Sequence, residues 1–300
     1  MSGYILQPKT SLSSNNNMAP TPPKQASATR SFTLEVDGIQ LAGIEWGAGD
    51  QTLLCLHGYR ENKETWHTLL PDPPSGFRII SLDLPLDGES QIPRPVKPIQ
   101  KAWFHLLWEA LDKTFPHQAW HLAGYSQGGR WAVLLQRYVG YPAKQVFLLA
   151  PDGLQSHWGH QLVQGRIGQW ILFPLLKRPG IIWGIATRLH RWQLLPASVM
   201  GMLRYVLRGP TASQHLLDTL VMQRDMPISG NWIKTSSGQV KWHILWGKRD
   251  GLVRNQAAVI RKLGPNIHYT PLDGSHDIPR EQPTQLRTYI WQALQLDQIR

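Results

Sequence analysis

From residue 31 onward the chain alternates short apolar runs with longer stretches whose apolar residues recur at helical spacing. "FTLEV" (32–36) and "IQLAGIEW" (39–46) flank Asp37-Gly38, a dipeptide that favours a tight turn, and together predict a hairpin. "TLLCLHG" (52–58) and "RIISLDLP" (78–85) run on without polar alternation, as strands buried on both faces do. "KAWFHLLWEALDKTF" (101–115) has helical spacing and stops at Pro116. The apolar run "AWHLAGYS" (119–126) is followed by the helix-like "QGGRWAVLLQRYV" (127–139) and by "QVFLLAPDG" (145–153). After residue 235 the rhythm resumes with "QVKWHILWGKRDG" (239–251), a helix over 254–263, "NIHYTPLDGSHD" (266–277) and a closing helix over 284–296 behind Pro283.

This alternation predicts an α/β protein: a mostly parallel sheet with helices on both faces. Between 154 and 235 the rhythm breaks. Apolar residues there keep helical spacing around Trp158, Trp170, Trp183, Trp192 and Trp232, with no convincing buried strand. The expected organisation is a disordered tail over 1–30, a core formed by 31–153 and 236–300, and a helical insertion over 154–235.

Composition narrows the class. With 42% apolar residues the chain can bury a large core without disulfides or a structural metal. Its one cysteine, Cys55, lies inside a strand-like run and reads as a packing residue, which fits a reducing compartment. No run reaches the roughly 18 consecutive apolar residues of a spanning helix, and the first thirty residues hold no apolar block of signal-peptide length. A soluble, cytoplasmic protein is the expectation. The balance of 31 basic against 20 acidic residues gives +11. No basic cluster is interleaved with aromatics and no zinc-ligand spacing is present, so neither a nucleic-acid partner nor a metal is expected.

The candidate chemistry centres on Gly124-Tyr125-Ser126-Gln127-Gly128, a G-x-S-x-G pattern between an apolar run and a helix-like segment. A serine hydroxyl near neutral pH needs a base, a group that orients the base, and donors for the developing oxyanion. His276, in the loop after the last strand-like run, is the candidate base; His57 and His67 are the other sheet-end histidines, with His57 read as a loop brace. Asp250 follows the run ending at Gly247 and is the candidate acid, with Asp152 in reserve; Asp277 adjoins His276 and is poorly placed to orient it. The order Ser126, Asp250, His276 is one of the known chain orders of this triad. The N–H groups of Gln127 and Tyr59 are the candidate oxyanion donors.

The segments "LHGY" (56–59), "LDLP" (82–85), "GYSQGG" (124–129), "WGKRDGLV" (246–253) and "GSHDIP" (274–279) resemble those of lid-bearing α/β-hydrolase-fold serine hydrolases over residues 31–296. The resemblance implies an eight-stranded, mostly parallel sheet and a lid at 154–235. It assigns Ser126 as nucleophile, Asp250 as acid, His276 as base, and Tyr59 and Gln127 as oxyanion donors. Two departures stand out. Leu86-Asp87-Gly88-Glu89-Ser90 follows "DLP" where relatives commonly have a glycine, and Ser275 precedes the histidine where they often have one. A serine nucleophile argues against the epoxide hydrolases and haloalkane dehalogenases of this fold.

These parts suit acyl transfer, and the leading expectation is a cofactor-free carboxylic-ester hydrolase acting on a small-molecule acyl substrate. The same parts would serve an acyltransferase. "GYSQGGR" also resembles the nucleophile segment of the menaquinone-pathway succinyl-hydroxycyclohexadiene-carboxylate synthase, a lyase in which Arg130 would contact an anion. A third reading is a non-catalytic ligand receptor. Across 154–232 eight Arg or Lys face two Asp and no Glu. The favoured account is that the tryptophans pack the lid on the sheet with the arginines solvated. The alternatives are a grip on a hydrophobic or anionic substrate and peripheral membrane contact through the lid.

Overall fold

The computed structural model describes residues 28–117, 119–154, 174–195, 197–252, 256–264 and 267–296. Eight strands form one sheet: β1 (Arg30–Val36), β2 (Ile39–Gly47), β3 (Gln51–Leu56), β4 (Phe77–Leu82), β5 (Ala119–Tyr125), β6 (Ala143–Leu149), β7 (Lys241–Gly247) and β8 (Ile267–Leu272). Their spatial order is β1-β2-β4-β3-β5-β6-β7-β8. β1 pairs antiparallel with β2, and β2 with β4; every later pairing is parallel. The hairpin expected at Asp37-Gly38 is present, with φ of 50° and 74° at its two residues and Val36 paired to Ile39. Positive φ at both positions matches the turn to the right-handed twist of the strands.

The helices are α1 (Glu64–Leu69), α2 (Lys101–Thr114), α3 (Gln127–Val139), α4 (Pro179–Arg191), α5 (Ala197–Val206), α6 (Ala212–Met222), α7 (Gly230–Ser236), α8 (Gln256–Leu263), α9 (Ile278–Glu281) and α10 (Pro283–Leu296). α3 coincides with the stretch expected from spacing, and α2 ends one residue earlier. The short α1 and α9 escape a periodicity argument because a single turn or two shows no repeat. α1 is nevertheless anchored, with Trp66 and Leu69 buried.

Parallel strands joined through helices must be covered on both faces, and the burial shows it. β5 is buried along its whole length, as are five of the six residues of β3. On one face α2 and α3 supply Trp103, Phe104 and Trp131, whose rings meet edge-on or tilted at 5.6–5.7 Å between centroids. Cys55 is buried without a disulfide partner, as expected of a packing residue.

Among the described residues the segment between β6 and β7 carries α4 to α7 and no strand. Its last third belongs to the core, however. Met222, Met226 and Ile233 are fully buried in the main cluster, and the Ile99 N–H donates to the Met222 carbonyl at 3.0 Å. The inserted part is therefore narrower than 154–235, because α7 serves as the helix that precedes β7 in the ordinary strand–helix rhythm. Trp232, in α7, lies against Tyr138 of α3, whereas Trp192 at the end of α4 is 61% exposed, against the packing expected of the insertion's tryptophans. Trp158 and Trp170 lie outside the described residues, as do the tail to residue 27 and Arg254.

Trp131 is 1% exposed at the junction of α2 and α3. Trp131→Ala should lower the unfolding free energy by about 3–5 kcal/mol, whereas Trp131→Phe, which keeps a ring against Trp103 and Phe104, should lose less. Denaturant titration of both variants checks this, and equal losses would contradict the packing assigned to the indole.

Candidate active site

β5 ends at Tyr125 and α3 begins at Gln127, so Ser126 alone makes the turn, with φ 49° and ψ −112°. A non-glycine residue adopts such a backbone only where its surroundings hold it. Here the Ser126 N–H donates to the Leu149 carbonyl at 2.8 Å, and its own carbonyl accepts from the N–H groups of Gly129 and Asp152, both at 3.0 Å. The turn is also tight on its inner side. A Cβ on Gly124 would overlap the Gly128 carbonyl, and one on Gly128 would overlap the Leu56 carbonyl of the neighbouring strand. Glycine at both positions is a requirement of this close approach.

The turn projects the Ser126 hydroxyl toward His276. Ser126 Oγ lies 2.9 Å from His276 Nε2, and His276 Nδ1 lies 2.9 Å from Asp250 Oδ2. A carboxylate only accepts, so Nδ1–H donates to Asp250 and Nε2 is left to accept the serine O–H. The Asp250 side chain is fully buried, and its second oxygen accepts the Leu252 N–H at 2.9 Å. The three residues follow β5, β7 and β8 at the carboxyl edge of the sheet.

Two candidate oxyanion donors sit in the same region. Gln127 is the first residue of α3, where helical N–H groups have no partner within the helix. Tyr59 follows β3 in the loop Leu56-His57-Gly58. Among the described residues neither N–H has an intramolecular acceptor. The expected brace is present at His57, which is fully buried: its Nε2 accepts the Leu84 N–H at 2.9 Å while Nδ1 lies 2.7 Å from the Gly58 carbonyl. Accepting at Nε2 leaves Nδ1 as the donor, so the ring joins the β3 and β4 loops.

The remaining candidates are not brought to the hydroxyl. Arg130, expected as an anion contact, is 1% exposed; its Nε–H donates to Asp152 at 2.9 Å and its Nη1–H to the Met226 carbonyl at 3.2 Å. Packing between α3 and the chain before α7 makes it an internal strut. The same bond occupies Asp152, the reserve acid. His67 packs edge-on against Trp46, and Asp277 accepts from Arg280.

Several residues outside the predicted triad and oxyanion donors hold the site together. Asp83, within "LDLP", is fully buried and accepts from the Lys63 N–H (2.6 Å), Lys63 Nζ (3.0 Å) and the Glu89 N–H (2.8 Å). Glu61 accepts the Gly58 N–H at 3.1 Å and Arg280 Nη2 at 2.7 Å, joining the Tyr59 loop to α9 beside His276. The bonds to Asp277 and Glu61 hold the Arg280 guanidinium above its ordinary range. Ser275, the second departure from the family pattern, donates from both N and Oγ to Glu281, at 2.7 and 2.6 Å. Among the described residues no group of three or more His, Cys, Asp or Glu could hold a metal ion. No helix there is long and apolar enough to cross a membrane.

This sheet order, with its serine turn after β5, is that of the α/β-hydrolase fold. The profile of the alpha/beta hydrolase fold matches residues 51–179. Among curated proteins the chain is 28% identical over 130 residues to a dihydrolipoyllysine-residue acetyltransferase component of the acetoin cleaving system of Cupriavidus necator, covering 43% of this chain and 34% of that protein. It is 26% identical over 136 residues to a serine hydrolase-like protein of Danio rerio, covering 42% and 39% respectively. The matched region thus spans little more than a third of these relatives. Among solved structures, a thermophilic esterase from Thermogutta terrifontis superposes with a TM-score of 0.62 at 18% identity, over 89% of this chain and 98% of that one.

Hydrogen bonds from Ser275 hold the Glu281 carboxyl below its ordinary value. A folded value below the unfolded one means a contribution complete above the unfolded value, about 4.3, and lost as pH falls through the lowered value. The melting-temperature difference between wild type and Glu281→Gln should therefore shrink below about pH 4. A difference that stays constant through that range would contradict the assignment.

Proposed function

We propose that this chain is a serine hydrolase that cleaves a carboxylic ester of a small acyl substrate through an acyl-enzyme intermediate. The observation that carries the reading is the continuous hydrogen-bonded chain Ser126–His276–Asp250, with both links at 2.9 Å. In the proposed reaction His276 Nε2 takes the hydroxyl proton as Ser126 Oγ attacks the ester carbonyl. The carbonyl π pair moves onto oxygen, where the N–H groups of Tyr59 and Gln127 receive the negative charge. Collapse expels the alkoxide, which takes the proton from His276. Water then attacks the acyl-Ser126 carbonyl with His276 again as base, and release of the acid returns the proton to Ser126. Asp250 holds the imidazole in the tautomer that accepts from serine and stabilises the imidazolium that forms.

The helices α4 to α6 are proposed as the lid that shapes the acyl pocket. The basic excess of this segment suits a substrate with an anionic acyl part. The lyase alternative loses its proposed anion contact, because the Arg130 guanidinium is engaged inside the protein, although MenH from S. aureus is also among the structural neighbours. A thermophilic esterase among the structural neighbours and a serine hydrolase-like relative agree with the ester reading.

A fluorophosphonate probe, which loses fluoride as Ser126 Oγ bonds phosphorus, should label wild type and leave Ser126→Ala unlabelled. Labelling that survives in Ser126→Ala would remove Ser126 from the mechanism. Asp152, the reserve acid, is held by Arg130. Asp250→Asn should therefore lower kcat on p-nitrophenyl esters by about 10⁴-fold, and a loss of tenfold or less would show that another acid serves His276.

A further inference from the structure

Tyr59 is gripped from the insertion. Its carbonyl accepts the Tyr205 hydroxyl of α5 at 2.8 Å, and its own hydroxyl lies 3.1 Å from His215 Nδ1 on α6. The Tyr59 ring meets those of His215 and Tyr205 edge-on, with centroids 5.1 and 6.4 Å apart. Behind His215, Nε2 lies 2.9 Å from Asp87 Oδ1. Asp87 is buried, and its other oxygen has no hydrogen-bond partner among the described residues, so the His215 N–H is the donor that compensates this carboxylate. With Nε2–H committed to Asp87, Nδ1 of the neutral ring accepts the Tyr59 O–H. Burial pushes the Tyr59 phenol above its ordinary range, which keeps it a donor. Asp87 lies in the segment 86–90 that departs from the family pattern, where Leu86 has φ 80°. The departure thus supplies the carboxylate for a histidine borne by the insertion. The next residue repeats the attachment, for Arg60 Nη1 donates to the Arg208 carbonyl at 2.8 Å.

We propose that His215, backed by Asp87, is a positioning residue that fixes the Tyr59 loop from the insertion and so sets the oxyanion-facing N–H of Tyr59. This rests on the serine-hydrolase reading above for its catalytic consequence, but not for its structural one. The chain Asp87–His215–Tyr59 runs from the β4 loop through α6 to the β3 loop. Three segments far apart in sequence must dock before it closes. α6 is held to the core independently, since Asp218 pairs with Arg94, so loss of His215 frees the Tyr59 loop without releasing the helix.

The test compares His215→Phe, His215→Asn, Tyr59→Phe and the double variant Tyr59→Phe/His215→Phe. His215→Phe should lower kcat on p-nitrophenyl acetate about tenfold with KM within about twofold, because a transition-state contact is misplaced and not a ground-state one. Tyr59→Phe removes a single hydroxyl and should give a loss of similar size. The double variant should fall no further, as expected of groups acting in one chain. His215→Asn, which keeps a polar atom where Nδ1 lies, should recover part of the rate. Independently of turnover, amide hydrogen exchange in a peptide covering residues 57–61 should accelerate about tenfold or more in His215→Phe, with β5 peptides unchanged. Unchanged exchange at 57–61, or single losses that multiply in the double variant, would overturn the proposal. Failure of fluorophosphonate to label wild type at Ser126 would instead sink the hydrolase reading, while the exchange measurement still decides whether His215 holds the loop.

Discussion

The approach of α3 to the neighbouring strand is the constraint on which the rest of the site depends. β5 passes into helix through one residue, and the backbone of Gly128 lies so near the Leu56 carbonyl that no side chain fits between them. This contact places the start of α3, with Gln127, beside the end of β3 and the loop that carries Tyr59. The positive φ of Ser126 is held by hydrogen bonds to Leu149, Gly129 and Asp152, so the strain at the turn is met by the sheet and by the helix it starts. The hydroxyl is consequently presented by rigid elements, as a precisely placed group requires.

The loop after β3 is restrained on more than one side. Glu61 and Arg280 tie it to the His276 loop, His57 ties it to the β4 loop, and Tyr205 and His215 tie it to the insertion. On the proposed reading, oxyanion stabilisation depends on donors that need not reorganise as charge develops. A loop fixed by several directional bonds meets that need better than apolar packing would. The arrangement also makes the insertion part of the site's framework, beyond any covering role.

Charged and polar groups in this region act mainly as joints. Asp83 is fully buried yet accepts three hydrogen bonds, and Lys63 beside it bridges to Glu89. Arg130 follows the same rule: its burial is tolerable because Asp152 and the Met226 carbonyl satisfy its donors. Its place just after Ser126 predicts an anion contact. What altered the outcome was the chain before α7, which folds back over α3 and encloses the guanidinium.

Much of the molecule was legible in one dimension because its causes are local. Unalternated apolar runs become doubly covered parallel strands, Asp37-Gly38 becomes a hairpin turn, and the two glycines around Ser126 mark a backbone bend wherever that segment lies in space. The order Ser126, Asp250, His276 could also be read, since each residue follows its own strand and a parallel sheet brings strand ends to one edge. Short helices without a repeat, the inner limit of the insertion and the exposure of Trp192 could not be read. Nor could the partners of Tyr59, Arg130 and Asp87, which come from segments up to 156 residues away. Sequence periodicity reports which face of an element is apolar; which polar group will meet which is set by docking, and only the folded chain contains that information.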